Sequence, residues 1–352
     1  MLNPEWTPQL SERTLRRPVD GILGAIGGTP LVRLRRYAPD ASVQLWAKLE
    51  SANPGGSAKD RPALAMLRSA LDSGRLLPGG TVIESSSGNM GIGLAQACRF
   101  HGLTFICVVD ARAQPVNVQI MRAFGADVRV VSPDSAITDP LAARLALVAH
   151  LVRTIPGAYW PNQYANPANS NAHANGTIRE IDDALDGRLD LLLVATSTSG
   201  TLVGCRDYLR REGRTTRIVA VDAVGSVLFG GLRTPRRMPG IGAGVVTELS
   251  REATFDELIR VDDLDCVIGC RRLLEREAIL AGGSSGGVMV AFDQLLPRLR
   301  PGTRCAAILP DGGSSYLDTV YDDSWVEREL RCEPGRLQEL CADLQPAAAS
   351  RT

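Results

Sequence analysis

The sequence predicts an α/β fold with a mainly parallel sheet covered by helices on both faces, and three observations lead there. Short apolar runs rich in β-branched residues alternate along the chain with stretches of helical period. Gly and Pro mark nearly every junction, as at Pro78-Gly79-Gly80 and Pro301-Gly302. The composition, 44% hydrophobic and 22% charged over 352 residues, is that of a globular chain long enough for two lobes or one large unit.

The elements follow in order. The runs at 43–49, 81–83, 105–109 and 128–131 read as strands, and each is followed by a helical stretch, at 63–71, 90–100, 115–124 and 141–152. The order resumes with strands at 191–194 and 218–221, helices at 266–280 and 288–296, and a strand at 306–309. A mainly parallel sheet needs such crossovers, and they place helices on both of its faces. The first twenty or so residues and the tail after Trp325 read as weakly ordered extensions.

Lys+Arg and Asp+Glu balance at 39 each, so no net field favours nucleic acid or an anionic membrane, and the expected partner is a small molecule. Eight cysteines are scattered singly through apolar segments and read as reduced core residues. Cys266 and Cys270 stand four apart without a second pair or a His cluster, so no metal site is expected. No apolar run approaches the ~18 residues of a membrane span, and the N-terminus lacks the basic start and apolar stretch of a signal segment. The expected location is the cytoplasm.

In open α/β sheets ligands bind beyond the carboxyl ends of strands, where loops lead into helix N-termini. Four such loops carry unusual chemistry. In Asn53-Pro54-Gly55-Gly56-Ser57-Ala58-Lys59-Asp60-Arg61, Lys59 lies just inside a helix start, where the dipole and neighbouring N–H groups disfavour its charge, as a Schiff-base lysine requires. Taken alone, the loop also describes a solvated lysine beside an N-cap Ser57. In Glu84-Ser85-Ser86-Ser87-Gly88-Asn89-Met90-Gly91, hydroxyls, an amide and N–H groups converge on one helix start and suit a carboxylate; the alternative is a serine-rich cap with a glycine turn. Ser197-Thr198-Ser199-Gly200-Thr201 follows an apolar strand and reads as a phosphate cup, without the Gly-Lys-Ser/Thr of a Walker loop or the spacing of a dinucleotide fingerprint. Gly282-Gly283-Ser284-Ser285-Gly286-Gly287, before a helix starting near Val288, reads singly as a flexible turn. All four together describe a pyridoxal-phosphate amino-acid site.

On these motifs, from Ile26-Gly27-Gly28-Thr29-Pro30-Leu31-Val32 to Asp311, the chain resembles the fold-type II pyridoxal-phosphate enzymes of the cysteine synthase and cystathionine β-synthase group. The resemblance implies a tryptophan synthase β-like fold of two parallel-sheet lobes with helices on both faces. It implies a large cofactor-anchoring lobe of 21–59 plus 166–325, a smaller mobile lobe of 60–165, and extensions at 1–20 and 326–352. It implies that Lys59 holds pyridoxal 5'-phosphate, that Asn89 bonds the ring hydroxyl, that Ser197, Thr198, Ser199, Gly200 and Thr201 hold the phosphate, and that Ser284 meets the pyridine nitrogen. Ser86, Ser87, Gly88 and Gln163 match the substrate-carboxylate site. A neutral serine at the ring nitrogen leaves it largely unprotonated, which favours β-elimination over racemisation or transamination.

Trp160-Pro161-Asn162-Gln163-Tyr164-Ala165-Asn166-Pro167, Val221-Asp222-Ala223-Val224-Gly225-Ser226-Val227 and the Ser-Thr-Ser-Gly-Thr cup are most similar to the synthases of 2,3-diaminopropionate biosynthesis. Cysteine synthases usually have a more glycine-rich cup and phenylalanine where Tyr164 stands. The resemblance therefore implies β-replacement on O-phospho-L-serine, through α-aminoacrylate, with L-glutamate as nucleophile. The product would be N-(2-amino-2-carboxyethyl)-L-glutamate, a precursor for siderophores or peptide antibiotics. Lys59 would be the general base, and Tyr164 and Arg144 are the candidates to meet the anionic groups at the mouth, Arg144 being alternatively a solvated helix residue. His101, His150 and His173 show no partner in the sequence and read as surface or packing residues. A homodimer is expected. The rivals are a cysteine synthase or cystathionine β-synthase, a catalytically silent binding member, and, from βα order alone, a nicotinamide dehydrogenase.

Overall fold

The computed structural model describes residues 18–38, 42–131 and 139–342. The outer parts of both expected extensions, 1–17 and 343–352, lie outside the described residues.

The chain builds two sheets. In the larger, the spatial order is β1 (Leu31–Arg33), β2 (Gln44–Leu49), β9 (Arg304–Leu309), β6 (Leu191–Ala195), β7 (Arg217–Ala223) and β8 (Glu257–Val261). All neighbours pair in parallel except β1, which runs antiparallel to β2 with Leu31 opposite Lys48. The smaller sheet is β3 (Thr81–Ser85), β4 (Thr104–Val109) and β5 (Asp127–Val130), all parallel.

Alternation along the strands sends successive side chains to opposite faces, and both faces are apolar. In the larger sheet Leu191, Leu193, Val219, Val221 and Ala307 meet α9 (Asp263–Glu277) and α10 (Gly283–Leu295). Leu192, Val194, Ile218, Ala220 and Ala306 point the other way, toward α6 (Ile178–Ala184) and α7 (Gly200–Arg211). In the smaller sheet Val82, Phe105, Cys107 and Val109 pack on α1 (Asp60–Asp72), α2 (Asn89–His101) and α3 (Pro115–Ala123), while Ile83, Ile106 and Val108 meet Val148 and Leu151 of α4 (Pro140–Thr154). The parallel-sheet α/β expectation holds. All eight cysteines are free and buried, in agreement with their reading as core residues.

Local chemistry sets the boundaries. Pro140 opens α4 and the Asp139 carboxylate accepts from Leu141 and Ala142 N–H. Asp262 and Asp265 form a reciprocal capping box that starts α9 three residues before its apolar run, and a left-handed Ala278 (φ 54°) ends it after Glu277, short of the expected 280. The short edge strand β1, the strand β8, α5 (Pro167–Ala172) with the π turn His173–Thr177 that joins it to α6, and α8 (Glu248–Glu252) were not foreseen. They are short or weakly periodic; β1 is three residues long with Val32 and Arg33 exposed, too short to show a period.

Two expectations are corrected. The run Gly283-Ser284-Ser285-Gly286-Gly287 is not a flexible turn but the first turns of α10. Added Cβ atoms at Gly286 and at Gly269 of α9 would each collide with the other helix's backbone, so these glycines exist for close helix packing rather than for freedom. The tail after Trp325 is folded as far as 342: α11 (Asp323–Leu330) and α12 (Pro334–Ala342) bury Val326, Leu337 and Cys341 in the main core. Arg272 donates to the Leu340 and Cys341 carbonyls at 2.7 and 3.1 Å, a tie to α9 that no local pattern signals.

β2, β9 and β6 are adjacent, so the loops leaving their carboxyl ends meet, and the loop leaving β3 faces them from the smaller sheet. Among the described residues no helix is long and apolar enough to cross a membrane.

Candidate active site

Lys59 stands at the N-cap of α1, with Asp60 as the first helical residue. The preceding loop is held from within. Asn53 Nδ2 donates to the Glu50 and Ser57 carbonyls at 2.9 and 3.0 Å, and the Asp60 carboxylate accepts the Gly55 N–H. Ser57 accepts the Lys59 N–H through its hydroxyl at 3.2 Å but is not the helix cap. Ala58 N–H donates to Pro310 O at 2.7 Å, which fastens the loop to the end of β9. Burial pulls the Lys59 ammonium below its ordinary value, against the opposing pull of Asp311 and Glu50. A solvated surface lysine would lack that shift.

The loop after β3 turns into α2 at Asn89. Ser86 Oγ accepts the Gly91 N–H at 3.0 Å and that of Gly88 at 3.4 Å, leaving its own proton free to donate. Asn117 Nδ2 donates to Ser87 O at 3.2 Å and Gln163 Nε2 to Ser85 O at 3.3 Å. Beneath them lies Glu84, fully buried, which accepts from Ser85 N–H at 2.8 Å, Trp160 Nε1 at 3.1 Å and Gln163 N–H at 3.2 Å. One carboxylate thus binds the serine loop to the Gln163 loop. Burial pushes it up to about 7 in spite of these donors.

At the end of β6 the cup opens α7, with Ser199 at φ 68° as its N-cap. A left-handed residue before a helix turns successive N–H groups toward one point, which is a nest for an anion. Thr198 Oγ1 accepts from Gly200 N–H and from Asn169 Nδ2, both at 3.3 Å, and Thr247 Oγ1 donates to Thr198 O at 3.3 Å. Ser199 Oγ is buried with no protein partner. His173 is a packing residue, fully buried in the π turn, with partners the sequence did not show: it lies 3.0 Å from Thr177 Oγ1 and 3.2 Å from Thr201 Oγ1. Burial holds its imidazole well below the ordinary value, so it is neutral beside the cup. His101 is half-buried and His150 exposed, both away from the site.

A cavity of about 620 Å³ joins these elements. Its lining includes Lys59, Ser86, Ser87, Gly88, Asn89, Arg144, Gln163, Tyr164, Ser197, Thr198 and Ser284, drawn from residues more than 200 apart in sequence. Ser199 and Thr201 face a small adjoining pocket that shares Lys59, Ser197 and Thr198. Gly200 lines neither; an added Cβ there would collide with the Asn169 amide. Arg144 sits 3.3 Å from Asp110 at the mouth, not free in solvent as its alternative reading had it. Arg112 and Arg237 share the rim, and neither was foreseen. A second cavity of about 510 Å³, lined by Arg188, Asp190, Arg214 and Arg304, lies at the amino ends of the strands, away from these loops.

A family model described as pyridoxal-phosphate dependent enzyme matches residues 22–311. The chain belongs to that family. Two curated proteins named N-(2-amino-2-carboxyethyl)-L-glutamate synthase are similar to it. The one from Ralstonia nicotianae is 49% identical over 87% of this chain and 91% of that protein; the one from Cupriavidus metallidurans is 45% identical over 88% and 92%. The structure of O-acetyl serine sulfhydrylase isoform 3 from Entamoeba histolytica superposes with a TM-score of 0.83 at 30% identity, covering 98% of this chain and 99% of that one. The fold is that of the fold-type II pyridoxal-phosphate enzymes, and the cofactor of the family is pyridoxal phosphate.

The residues present fit that cofactor. Ser199 Oγ is a buried hydroxyl with no protein partner, the nest at α7 suits a phosphate, and Lys59 is an amine biased toward its neutral, nucleophilic form. The candidate site also rests on residues no local motif announces. Asp311 accepts from Asn89 Nδ2 at 2.7 Å and from the Tyr316 hydroxyl at 2.8 Å. Asn169 supports the cup and, through Gln163 O at 2.7 Å, the substrate loop. Glu84 could have been suspected from a lone carboxylate ending an apolar strand; Asp311, Asn169 and His173 carry no signal beyond the fold itself.

Proposed function

We propose that this enzyme catalyses β-replacement on O-phospho-L-serine with L-glutamate as nucleophile, giving N-(2-amino-2-carboxyethyl)-L-glutamate and phosphate. The single observation that carries the reading is the continuity of one cavity from Lys59 to a rim bearing Arg112, Arg144 and Arg237. A donor with a dianionic leaving group and an acceptor with two carboxylates both need such a rim. The names of the two curated synthases support the same product.

Pyridoxal phosphate, when bound, supplies the aldehyde that captures the amino group and the electron sink that makes the α-proton removable. Lys59 would hold it, and its free Nζ would take the α-proton and later return it. Asn89 would donate to the ring oxygen, Ser284 would meet the ring nitrogen as a neutral hydroxyl, and the cup from Ser197 through Thr201 would hold the phosphate. Ser86, Ser87, Gly88 and Gln163 take the substrate carboxylate, and Arg144 with Tyr164 receives the anionic groups at the mouth. The lobe formed by 60–165 closes on the large lobe and excludes water, which would otherwise compete with glutamate.

We place the enzyme in the cytoplasm as a homodimer, on the support of eight buried free thiols and the general frequency of twofold symmetry. Its product would feed siderophore or peptide-antibiotic assembly.

The test is phosphate release from O-phospho-L-serine with and without L-glutamate, with the product identified by mass. Glutamate-dependent release, lost in Lys59→Ala, is expected. Turnover confined to O-acetyl-L-serine with sulfide would make the protein a cysteine synthase and overturn the assignment.

A further inference from the structure

Asp311 lines the cavity, and its neighbours tie three elements together. The Ser57 and Asp311 backbones form an antiparallel bridge, and Pro310 O receives Ala58 N–H at 2.7 Å, so the residues just before Lys59 are paired to this point. On the other side Asp311 O receives Gly282 N–H at 3.2 Å, and Ala281 bridges Gly312, which fixes the start of the helix carrying Ser284.

The side chain adds the third element. Its Oδ2 accepts from Asn89 Nδ2 at 2.7 Å and from Tyr316 at 2.8 Å, while Oδ1 is buried against Gly282 without a protein partner. Space there is tight: a Cβ on Gly282 would collide with that oxygen. The two donors on Oδ2 hold the carboxylate in this orientation.

We infer that Asp311 is a positioning residue for the cofactor site, acting through Asn89 by fixing which way its amide faces. Asp311 Oδ2 is the acceptor here, taking the Tyr316 hydroxyl as well, so Asn89 must present its NH₂ group to it; the flipped amide would set oxygen against oxygen. One N–H is taken by Asp311, and the second N–H of the same group is thereby held toward the cavity, where an acceptor such as an ionised ring oxygen would be met. The Tyr316 hydroxyl holds the carboxylate in turn. This rests on the reading of Asn89 as the partner of the ring oxygen.

The experiment compares the absorbance of bound pyridoxal phosphate, and its dissociation constant from the apo-protein, in wild type, Asn89→Ala, Asp311→Ala, the double variant and Asp311→Asn. An ionised ring oxygen absorbs at longer wavelength than the neutral hydroxyl form, so the ratio of the two bands reports the donor at that oxygen. Asn89→Ala and Asp311→Ala should shift the ratio in the same direction and weaken cofactor binding about tenfold, the scale of one charge-assisted hydrogen bond. The double variant should shift no further than Asn89→Ala, and Asp311→Asn, which keeps an acceptor, should restore most of the band. Should Asp311→Ala fail to fold, Tyr316→Phe serves, with a smaller shift of the same sign. An altered spectrum in Asn89→Ala beside a wild-type spectrum in Asp311→Ala would overturn the role of Asp311 and leave that of Asn89 standing. A wild-type spectrum in Asn89→Ala would overturn both.

Discussion

Gly200 leaves no room for a methyl group, because Asn169 fills the space where its Cβ would stand. Asn169 in turn holds Thr198 and the Gln163 carbonyl. Gly200→Ala should therefore displace the cup and the substrate loop together, weakening pyridoxal-phosphate binding about tenfold in a fluorescence titration of the apo-protein. Unchanged affinity would show that the cup tolerates the shift. At this scale the sequence was most legible where function needs several unusual residues in one short loop. Lys59, Asn89, Thr198 and Ser284 all sit in such loops and all reach the cavity. Asp311, Asn169 and His173 were not legible, since each is an ordinary residue type whose meaning comes from a partner 28 or more positions away.

Glu84 shows what an element adds. It ends a strand whose neighbours are apolar, and burial raises its carboxyl from 4.5 to about 7. The folded protein therefore binds this proton more tightly than the unfolded chain, so the group's contribution to stability falls as pH rises from about 4.5 to 7. The slope is at most about 1.4 kcal/mol per pH unit. Glu84→Gln removes that dependence and keeps an acceptor for Trp160 and Ser85. Urea unfolding at pH 5 and pH 7 should show wild type losing more stability than the variant over that interval; Asp60, also raised to about 7, is common to both proteins and cancels. Equal losses would contradict the account. The glycine run of α10 teaches a related lesson about legibility. Six small residues in a row read as a turn because glycine penalises helices locally, and only the backbone of α9 shows why a helix forms there.

For the whole molecule, βα alternation was enough to anticipate parallel sheets, since each strand is followed by its covering helix. It was not enough to anticipate the edge strand β1 or the final helices α11 and α12, whose burial depends on contacts far along the chain. The split into a three-stranded and a six-stranded sheet divides the site: Ser86 through Asn89 belong to the smaller sheet's loops, and the cup and Ser284 to the larger's. The side-chain contacts that cross between these parts include the ion pair of Arg233 with Asp139 at 2.7 Å, exposed and worth little, and the Asn89–Asp311 hydrogen bond at 2.7 Å, which lies in the site itself. Closure of 60–165 should accordingly follow substrate, and O-phospho-L-serine should slow hydrogen exchange in 86–92 and 112–118 of the holoenzyme while leaving β6 and β7 unchanged. Whether phosphoserine is the donor and glutamate the acceptor is read from an absorbance scan of the holoenzyme. A long-wavelength band raised by O-phospho-L-serine and discharged by L-glutamate is the predicted result. A band raised by O-acetyl-L-serine and discharged only by sulfide would contradict it.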